Sequence, residues 1–442
     1  MAGQKSHRRT FQGVGAAAVV TVLAGASWWA LHRTDAPAPE AVTPSPSVTS
    51  VTPSATPTAV VTEDVLGLPP TRALPPGLLE RTTAGWVLAL YRSEPRAEVP
   101  EGDVIPALVA HTVVLAAPTG ELYRVVDLPT DTGLSLLRWE PGATTATVTV
   151  YYRGDLGQDA IPRARLDLVT GTLTPEPFGP TESGDGAGWY FNGVAADGAE
   201  IWTTPTSTDA ATSDVYAVAD AAPPRLVGGI GYTMLLDPTS RRAVTPADGS
   251  GASTSFALLD LVDGGATELE LGLPGRSCDV VGWLDLDALL ALCRAIDQDP
   301  ADDWAAADPT TYRVDLGPTG ATSTLLTHLA PPGPLPSTWR GTWLRSGEVL
   351  VDGCTTGAAV WAGGSATPFP AAESTIVRSA AAGDRLYVES VPGCGGGAAP
   401  SVLTVRSSAS GAPTVLLPQP PATSEVREWV SGLSSWVVAA GR

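Results

Sequence analysis

The sequence predicts an all-β fold: a β-propeller of seven four-stranded blades, six or eight also fitting, preceded by one transmembrane helix and a disordered linker. Three observations carry this expectation. From Gly85 onward, short runs of β-branched and aromatic residues alternate with clusters of Gly, Pro, Asp and Ser, with no amphipathic helical window of ordinary length. One hairpin pattern, clearest from Cys278 to Arg294 (C-D-V-V-G-W-L-D-L-D-A-L-L-A-L-C-R), recurs along that region. A lone hairpin cannot bury an apolar face, so repetition of the unit predicts sheets that cover one another.

At the N-terminus, residues 13–31 are uncharged and mostly apolar. As a helix they extend about 28 Å, close to the thickness of a bilayer core. Lys5, Arg8 and Arg9 precede the run, and Trp28 and Trp29 sit at its far end. Positive residues stay on the cytoplasmic side and indole rings favour the headgroup level. The expected arrangement is a cytoplasmic tail (1–12), a transmembrane helix or uncleaved signal anchor (13–31) and an exported remainder. A cleaved signal peptide is the alternative, with Ala24-Gly25-Ala26 as its small-residue site, and Arg8-Arg9-Thr10-Phe11 partly matches a twin-arginine export signal.

Residues 32–80 are rich in Pro, Ser and Thr, too poor in apolar bulk to fold, and read as an extended disordered linker. Residues 81–442 read as the propeller domain. The chain has 442 residues, 43% of them apolar, and a net charge of -20 with Lys5 as its lone lysine. Residues 1–80 carry equal numbers of acidic and basic side chains, so the negative charge lies on the exported body. Such a body repels phosphate backbones, which sets nucleic acid aside as a partner.

Within 81–442 the inner hairpins are expected at 137–142, 193–198, 234–238, 283–287, 341–347, 379–384 and Trp429 to Val438. Outer pairs follow several of them, at 165–174, 256–271 and 312–326. The run from Val113 to Leu128 is an outer pair with no inner pair, and Trp429 to Val438 an inner pair with no outer pair. Joining the two in one blade closes the ring and removes exposed sheet edges. The run from Gly85 to Tyr91 is an extra strand without a place in this scheme.

The segments G-W-L-D-L-D-A-L-L-A-L (282–292) and G-T-W-L-R-S-G-E-V-L-V (341–351) resemble the TolB-like, WD40-like β-propellers of membrane-anchored exported bacterial proteins. The resemblance covers most of 81–442, without the W-D and G-H pair of a strict WD repeat. It implies a scaffold, and propellers host many functions.

Four cysteines in an exported chain predict disulfides, with three connectivities. Cys278 and Cys293 lie symmetrically about Asp285-Leu286 and face each other across a hairpin, leaving Cys354 and Cys394 near corresponding ends of neighbouring units. No C-x-x-C occurs and no histidine lies near a cysteine, so a metal site is not expected there. Asp297, Asp299 and Asp302 form the densest acidic run, read as a solvated loop with calcium binding as the alternative. His111 and His328 stand outside any nucleophile motif and read as strand-end residues. Trp139, Trp283, Trp343 and Trp429 occupy matching hairpin positions and are expected in the packing between blades rather than in a binding cage. Gly228-Gly229-Ile230-Gly231 reads as a loop between blades.

No catalytic residue, cofactor or metal is assigned. The expected function is a membrane-tethered, extracytoplasmic, monomeric binding or protein-interaction module whose partner is an envelope protein or a glycan. The alternative is an exported hydrolase or lyase with charged residues from three or more blades converging at the channel mouth.

Overall fold

The computed structural model describes residues 62–439 except 96–108, 153–160, 177–188, 207–211, 220–221, 231–233, 248–254, 296–309, 319, 329–341, 352–357, 363–364, 370–373, 393–400, 408–410, 425, 428 and 431. Its strands form seven antiparallel blades. Blade 2 comprises Thr132–Trp139, Thr145–Tyr152, Ile161–Asp167 and Leu173–Pro175; blade 3 comprises Tyr190–Val194, Glu200–Pro205, Ser213–Val218 and Arg225–Ile230. Blade 4 comprises Leu235–Leu236, Arg242–Pro246, Ser255–Asp260 and Ala266–Glu270; blade 5, Arg276–Asp285, Ala288–Ala295, Thr310–Gly317 and Gly320–His328. Blade 6 comprises Thr342–Arg345, Glu348–Val351, Ala359–Ala362 and Ser365–Pro368; blade 7, Ser374–Ala382, Arg385–Pro392, Val402–Arg406 and Thr414–Leu417. First strands of successive blades touch, as when the Thr342 and Ser379 hydroxyls hydrogen-bond, and this places them at the centre of the ring. Most of them carry a one-residue bulge, at Leu136/Arg138, Phe191/Gly193, Val280/Gly282, Trp343/Arg345 and Ile376/Arg378. A bulge sharpens local twist, which suits strands crowded around an axis.

Blade 1 closes the ring, but differently from expectation. Val87–Pro95 is its second strand, pairing with Ala110–Ala116 on one side and with the C-terminal residues on the other. Val430 faces Glu94 and Val438 faces Val87, so Trp429 to Val438 lies along one strand edge and is not a hairpin. The C-terminus therefore supplies one strand and the N-terminal part three, and the strand left over in the sequence reading fills the gap. The turn expected at Gly432 is absent because that glycine serves a close approach: a Cβ there would stand 2.8 Å from Pro420 Cδ. The carbonyl of Gly432 instead accepts from Arg92 N at 3.0 Å.

The ordered body also begins before the expected boundary at 81. Thr71–Ala73 adds in parallel to Leu122–Asp127, the outer strand of blade 1, and Thr62–Glu63 adds to Thr71–Ala73. Leu68 and Leu79 are buried, anchoring this segment where Pro/Ser/Thr composition predicted a linker. The expected anchor at 13–31 lies outside the described residues; among those described, no helix is long and apolar enough to cross a membrane.

Cys278 and Cys293 form the expected disulfide, opposite each other in register with Cα atoms 4.0 Å apart. Cys354 and Cys394 lie outside the described residues. Trp139, Trp283 and Trp429 are buried, and Trp343 packs against the blade 4–blade 5 core. Gly228 and Gly229 belong to the strand Arg225–Ile230 rather than a loop, and a Cβ on Gly228 would press on Leu259 of blade 4 at 3.2 Å.

Candidate functional site in the seam between blades 2 and 3

Six of the seven seams between blades are sealed by apolar clusters of aliphatic and aromatic side chains. Leu88, Leu115, Val148 and Leu166 fill the seam between blades 1 and 2; Ile201, Val215 and Leu259 that between 3 and 4; Phe256, Val280 and Leu289 that between 4 and 5. Leu290, Val349 and Trp361 seal blades 5 and 6, Leu350, Ile376 and Val388 seal 6 and 7, and Ala89, Val114, Leu403 and Trp436 seal 7 and 1. Each fully buried aliphatic side chain contributes roughly 1.5–3 kcal/mol. The closing seam adds directional contacts: Trp436 Nε1 donates to Glu389 Oε2 at 2.7 Å, Tyr91 Oη to the Pro418 carbonyl at 2.9 Å and Tyr387 Oη to the Gly85 carbonyl at 3.1 Å.

The seam between blades 2 and 3 is different. In blade 2 the period of two sends Ala146, Val148, Ala164 and Leu166 toward blade 1, and Thr147, Thr149, Arg163 and Arg165 toward blade 3. In blade 3 the same period sends Ile201 toward blade 4, and Glu200, Trp202 and Thr204 toward blade 2. Arg163 meets Glu200 through two nitrogens, at 2.8 and 3.3 Å, and reaches Glu176 Oε2 at 2.6 Å. Glu176 also receives Arg165 at 2.6 Å, and Arg138 approaches Glu200 at 3.9 Å. The Glu200 side chain is 3% exposed and that of Arg163 11%, so this ion pair is largely removed from water. Trp202 Nε1 completes the coordination of Glu200 at 3.1 Å.

Aromatic rings line the same face of blade 3. Phe191, Trp202 and Tyr216 stand opposite one another on three adjacent strands, with Phe191 edge-on to Trp202 at 5.3 Å. Trp189 meets Tyr216 edge-on at 5.3 Å. Trp202 is fully buried, whereas Trp189, Phe191 and Tyr216 are half-buried and the adjoining Tyr190 is 60% exposed. Burial, and then the neighbouring Asp214 charge, hold the Tyr216 phenol above its usual pKa. Thr204 Oγ1 is buried on this face with no hydrogen-bond partner, an arrangement that leaves its desolvation uncompensated. Arginine, carboxylate, hydroxyl and ring faces thus come together in the seam to which, among the described residues, none of the buried apolar clusters belongs.

The residues singled out in the sequence fall elsewhere. His111 is buried in blade 1, its Nδ1 2.6 Å from the Pro129 carbonyl, and burial lowers its pKa. His328 ends the last strand of blade 5. Asp297, Asp299 and Asp302 lie outside the described residues. Among the described residues, no group of three or more His, Cys, Asp or Glu could hold a metal ion. On the central strands, near the ends where the longer connections start, Arg276 and Asp279 both belong to blade 5 and do not unite charges from several blades. Asp279 is nine-tenths or more buried beside apolar neighbours, and desolvation pushes its pKa up to about 7 against the opposing pull of Arg294. A cleft of about 500 Å³ opens between blades 6 and 7, with Leu344, Val360 and Leu386 in its lining and Arg345, Glu348 and Arg385 around them.

None of Arg163, Glu176, Glu200 or Thr204 was legible as a site in the sequence. The available signal was the period-two placement of Arg163 and Arg165 opposite Ala164 and Leu166, together with E-I-W in a second strand where blades 5 and 6 carry A-L-L-A-L and E-V-L-V.

Fold and strand order define the class: a seven-bladed β-propeller closed by one C-terminal strand against three N-terminal ones. No protein-family model matches the chain, and no curated protein matches it. Solved structures are similar to the chain at low identity. A prolyl endopeptidase, from work on two such enzymes and their inter-domain dynamics, is 10% identical over 74% of this chain, with a TM-score of 0.45; the match spans 50% of that protein's length. The β-propeller domain of the Trilobed protease from Pyrococcus furiosus is 8% identical, covering 75% of this chain and 86% of that one, with a TM-score of 0.37. An oligogalacturonate lyase in complex with manganese is 11% identical, covering 75% and 91%, with a TM-score of 0.39. At such scores they carry no argument about activity.

Proposed function

We propose that this protein is a membrane-tethered, extracytoplasmic binding module whose ligand engages the end of the ring where the longer connections start. The observation that carries the reading is the unlike construction of the two ends. At one end, hairpins close on short hydrogen-bonded turns, such as Gly198 N to the Ala195 carbonyl at 2.9 Å, Ser240 N to the Asp237 carbonyl at 2.8 Å and Gly264 N to the Asp260 carbonyl at 3.0 Å. Asp167, Asp237 and Asp260 reinforce these turns by accepting backbone N–H groups. At the other end lie the strand termini that flank 96–109, 177–189, 296–309 and 329–341. A rigid scaffold carrying its longer connections at one end is the usual platform for recognition. The aromatic face of blade 3 starts at that same end with Trp189, and the next residue, Tyr190, on the other side of the strand, is exposed there.

A photo-crosslinking residue placed at Tyr190, compared with one at Leu286 on the turn end, tests the reading in intact cells. Saturable adducts from position 190 with none from 286 are expected. Adducts from 286 alone, or equal yields from both, overturn it. Protease accessibility of the folded body in cells stripped of their outer layers tests export; protection from added protease overturns the tethered, extracytoplasmic placement.

A further inference from the structure

We propose that the outer edge of blade 5, the strand Gly320–His328, pairs antiparallel with the same strand of a second copy of this chain, about a two-fold axis at Ser323. The pairing goes beyond the binding reading above and does not depend on it.

A strand that ends a sheet offers unpaired N–H and C=O groups to another chain, and proteins blunt such edges with short strands, charge, proline, bulges or a covering segment. Six blades here do so. Thr71–Ala73 covers Leu122–Asp127 in blade 1. Leu173–Pro175 and Ser365–Pro368 are short and end on proline, and Thr414–Leu417 is short and runs into Pro418. Ala266–Glu270 carries Glu268 and Glu270, and Arg225–Ile230 carries Arg225 and a bulge opposite Val215 and Tyr216. Gly320–His328 differs. It is nine residues long where no other outer strand among the described residues exceeds six, and its sequence, G-A-T-S-T-L-L-T-H, holds no Asp, Glu, Lys, Arg or Pro. Among the described residues no strand lies beyond it. Blade 1 shows within this molecule that an outer edge accepts an added strand.

The order of side chains selects a second copy as the occupant. A bulge at Leu326 leaves 320–325 in continuous register with 312–317. Within that stretch A-T-S-T-L (321–325) is nearly palindromic. A two-fold at Ser323 sets Thr322 of one copy opposite Thr324 of the other, and Ala321 opposite Leu325; threonine pairs and apolar pairs are favourable across strands. Thr322, Thr324 and Leu325 are exposed, Leu325 by 50%. Thr322 and Thr324 share one face, opposite Asp315 and Arg313, whereas Ala321 and Leu325 share the other, opposite Leu316 and Tyr312 beside the blade 4–blade 5 core. Like therefore meets like on both faces, as a contact between identical surfaces requires. Charge favours the same place. The chain carries -20, so two copies repel on approach, but this strand is uncharged and the strand behind it balances Arg313 against Asp315 at 2.7 Å.

An edge contact buries less than a standard interface, so the association is weak, with a dissociation constant of about 100 μM. Sedimentation of the full-length chain in detergent micelles at about 5–500 μM should show a monomer–dimer equilibrium in that range. Thr322→Glu combined with Thr324→Glu, and separately Thr322→Lys combined with Thr324→Lys, set like charges opposite one another and should each weaken association by roughly tenfold. Mixing the two charge variants should restore it. Both positions are exposed, so the melting temperatures should stay near that of the parent. Cysteine pairing reads the register: Thr322→Cys mixed with Thr324→Cys should form a disulfide between copies under mild oxidation, several-fold above either variant alone or the parent chain. Position 322 opposes 324 directly and meets its own counterpart only on the diagonal, at about 7–8 Å, too far to bridge readily. A chain that stays monomeric throughout overturns the proposal, as does a dimer that both charge variants leave intact, or a disulfide yield that mixing does not raise. A monomer that binds an extended peptide along this edge assigns the edge to a different protein and likewise overturns the pairing of copies.

Discussion

Blade 2 turns two unlike faces to its neighbours. Toward blade 1 it presents Ala146, Val148, Ala164 and Leu166, and the seam fills with hydrocarbon; toward blade 3 it presents Thr147, Thr149, Arg163 and Arg165, and the seam fills with ion pairs. Both faces come from the same strands, one residue apart. The first is held by burial, which is non-directional and tolerant of repacking. The second is held by a network in which each member depends on the others, because taking charges out of water costs several kcal/mol per ion unless partners compensate. Hydrocarbon is the cheaper way to join two blades, and each of the other six seams holds a buried apolar cluster, with polar contacts such as Arg242–Asp287 between blades 4 and 5 added at its edge.

The largest expected effect comes from breaking the network asymmetrically. Glu200→Ala leaves Arg163 largely buried beside a vacancy and should cost about 3–5 kcal/mol in denaturant unfolding. A cost under about 1 kcal/mol would mean the pair is solvated and the contrast between seams is false. On the apolar face, Leu166→Ala should cost about 2–5 kcal/mol through lost transfer energy and a cavity, with little dependence on salt or pH.

Replacing the network as a whole sharpens the comparison most. The triple variant Arg163→Met, Glu176→Leu, Glu200→Leu should be neutral or gain about 1–4 kcal/mol, since well-packed apolar groups often replace buried ion pairs without loss. A large loss of stability in this variant would show that the charges are there to hold the ring.

A pH-dependent effect should follow from Asp279, a carboxyl in the aliphatic seam between blades 5 and 6. Its pKa in the folded chain is raised from the ordinary 3.8 to about 7, so the neutral form is the one folding favours. Its stabilising contribution is complete below about pH 4, declines as pH rises and is lost above about pH 7. Asp279→Asn should flatten the stability profile between those limits and make the variant the more stable of the two at pH 8. Identical profiles would place the carboxyl in water. The smallest effect belongs to Arg165→Ala, a half-exposed partner of Glu176, at about 0–1 kcal/mol and diminishing with salt.

Much of the ring was legible in the chain because its signals are local. Alternation in T-A-T-V-T-V, the turns at 139–142 and 195–198, and the symmetry of Cys278 and Cys293 about Asp285 each act within a few residues. The closing blade was only half legible. Gly432 looked like a turn in sequence, and its actual role, admitting Pro420, depends on residues brought near by the fold. The Gly85 to Tyr91 run likewise lacked a partner until the C-terminal strand arrived beside it. Residues 62–80 read as linker because composition reports the average of a segment, while two buried leucines and a few strand pairs suffice to fix one.

The site was less legible still. A threonine and arginine face on a strand reads as a solvent face, since alternation says which residues share a side and nothing about what that side meets. By itself the sequence determined the strands, the turns, the repeat and the acidic body, all of which follow from the short-range period of the backbone and the sum of its charges. Only the tertiary structure decided that the polar side of blade 2 faces Glu200 and Trp202 and not water, because that pairing joins strands from separate blades and exists only once the ring has closed around them.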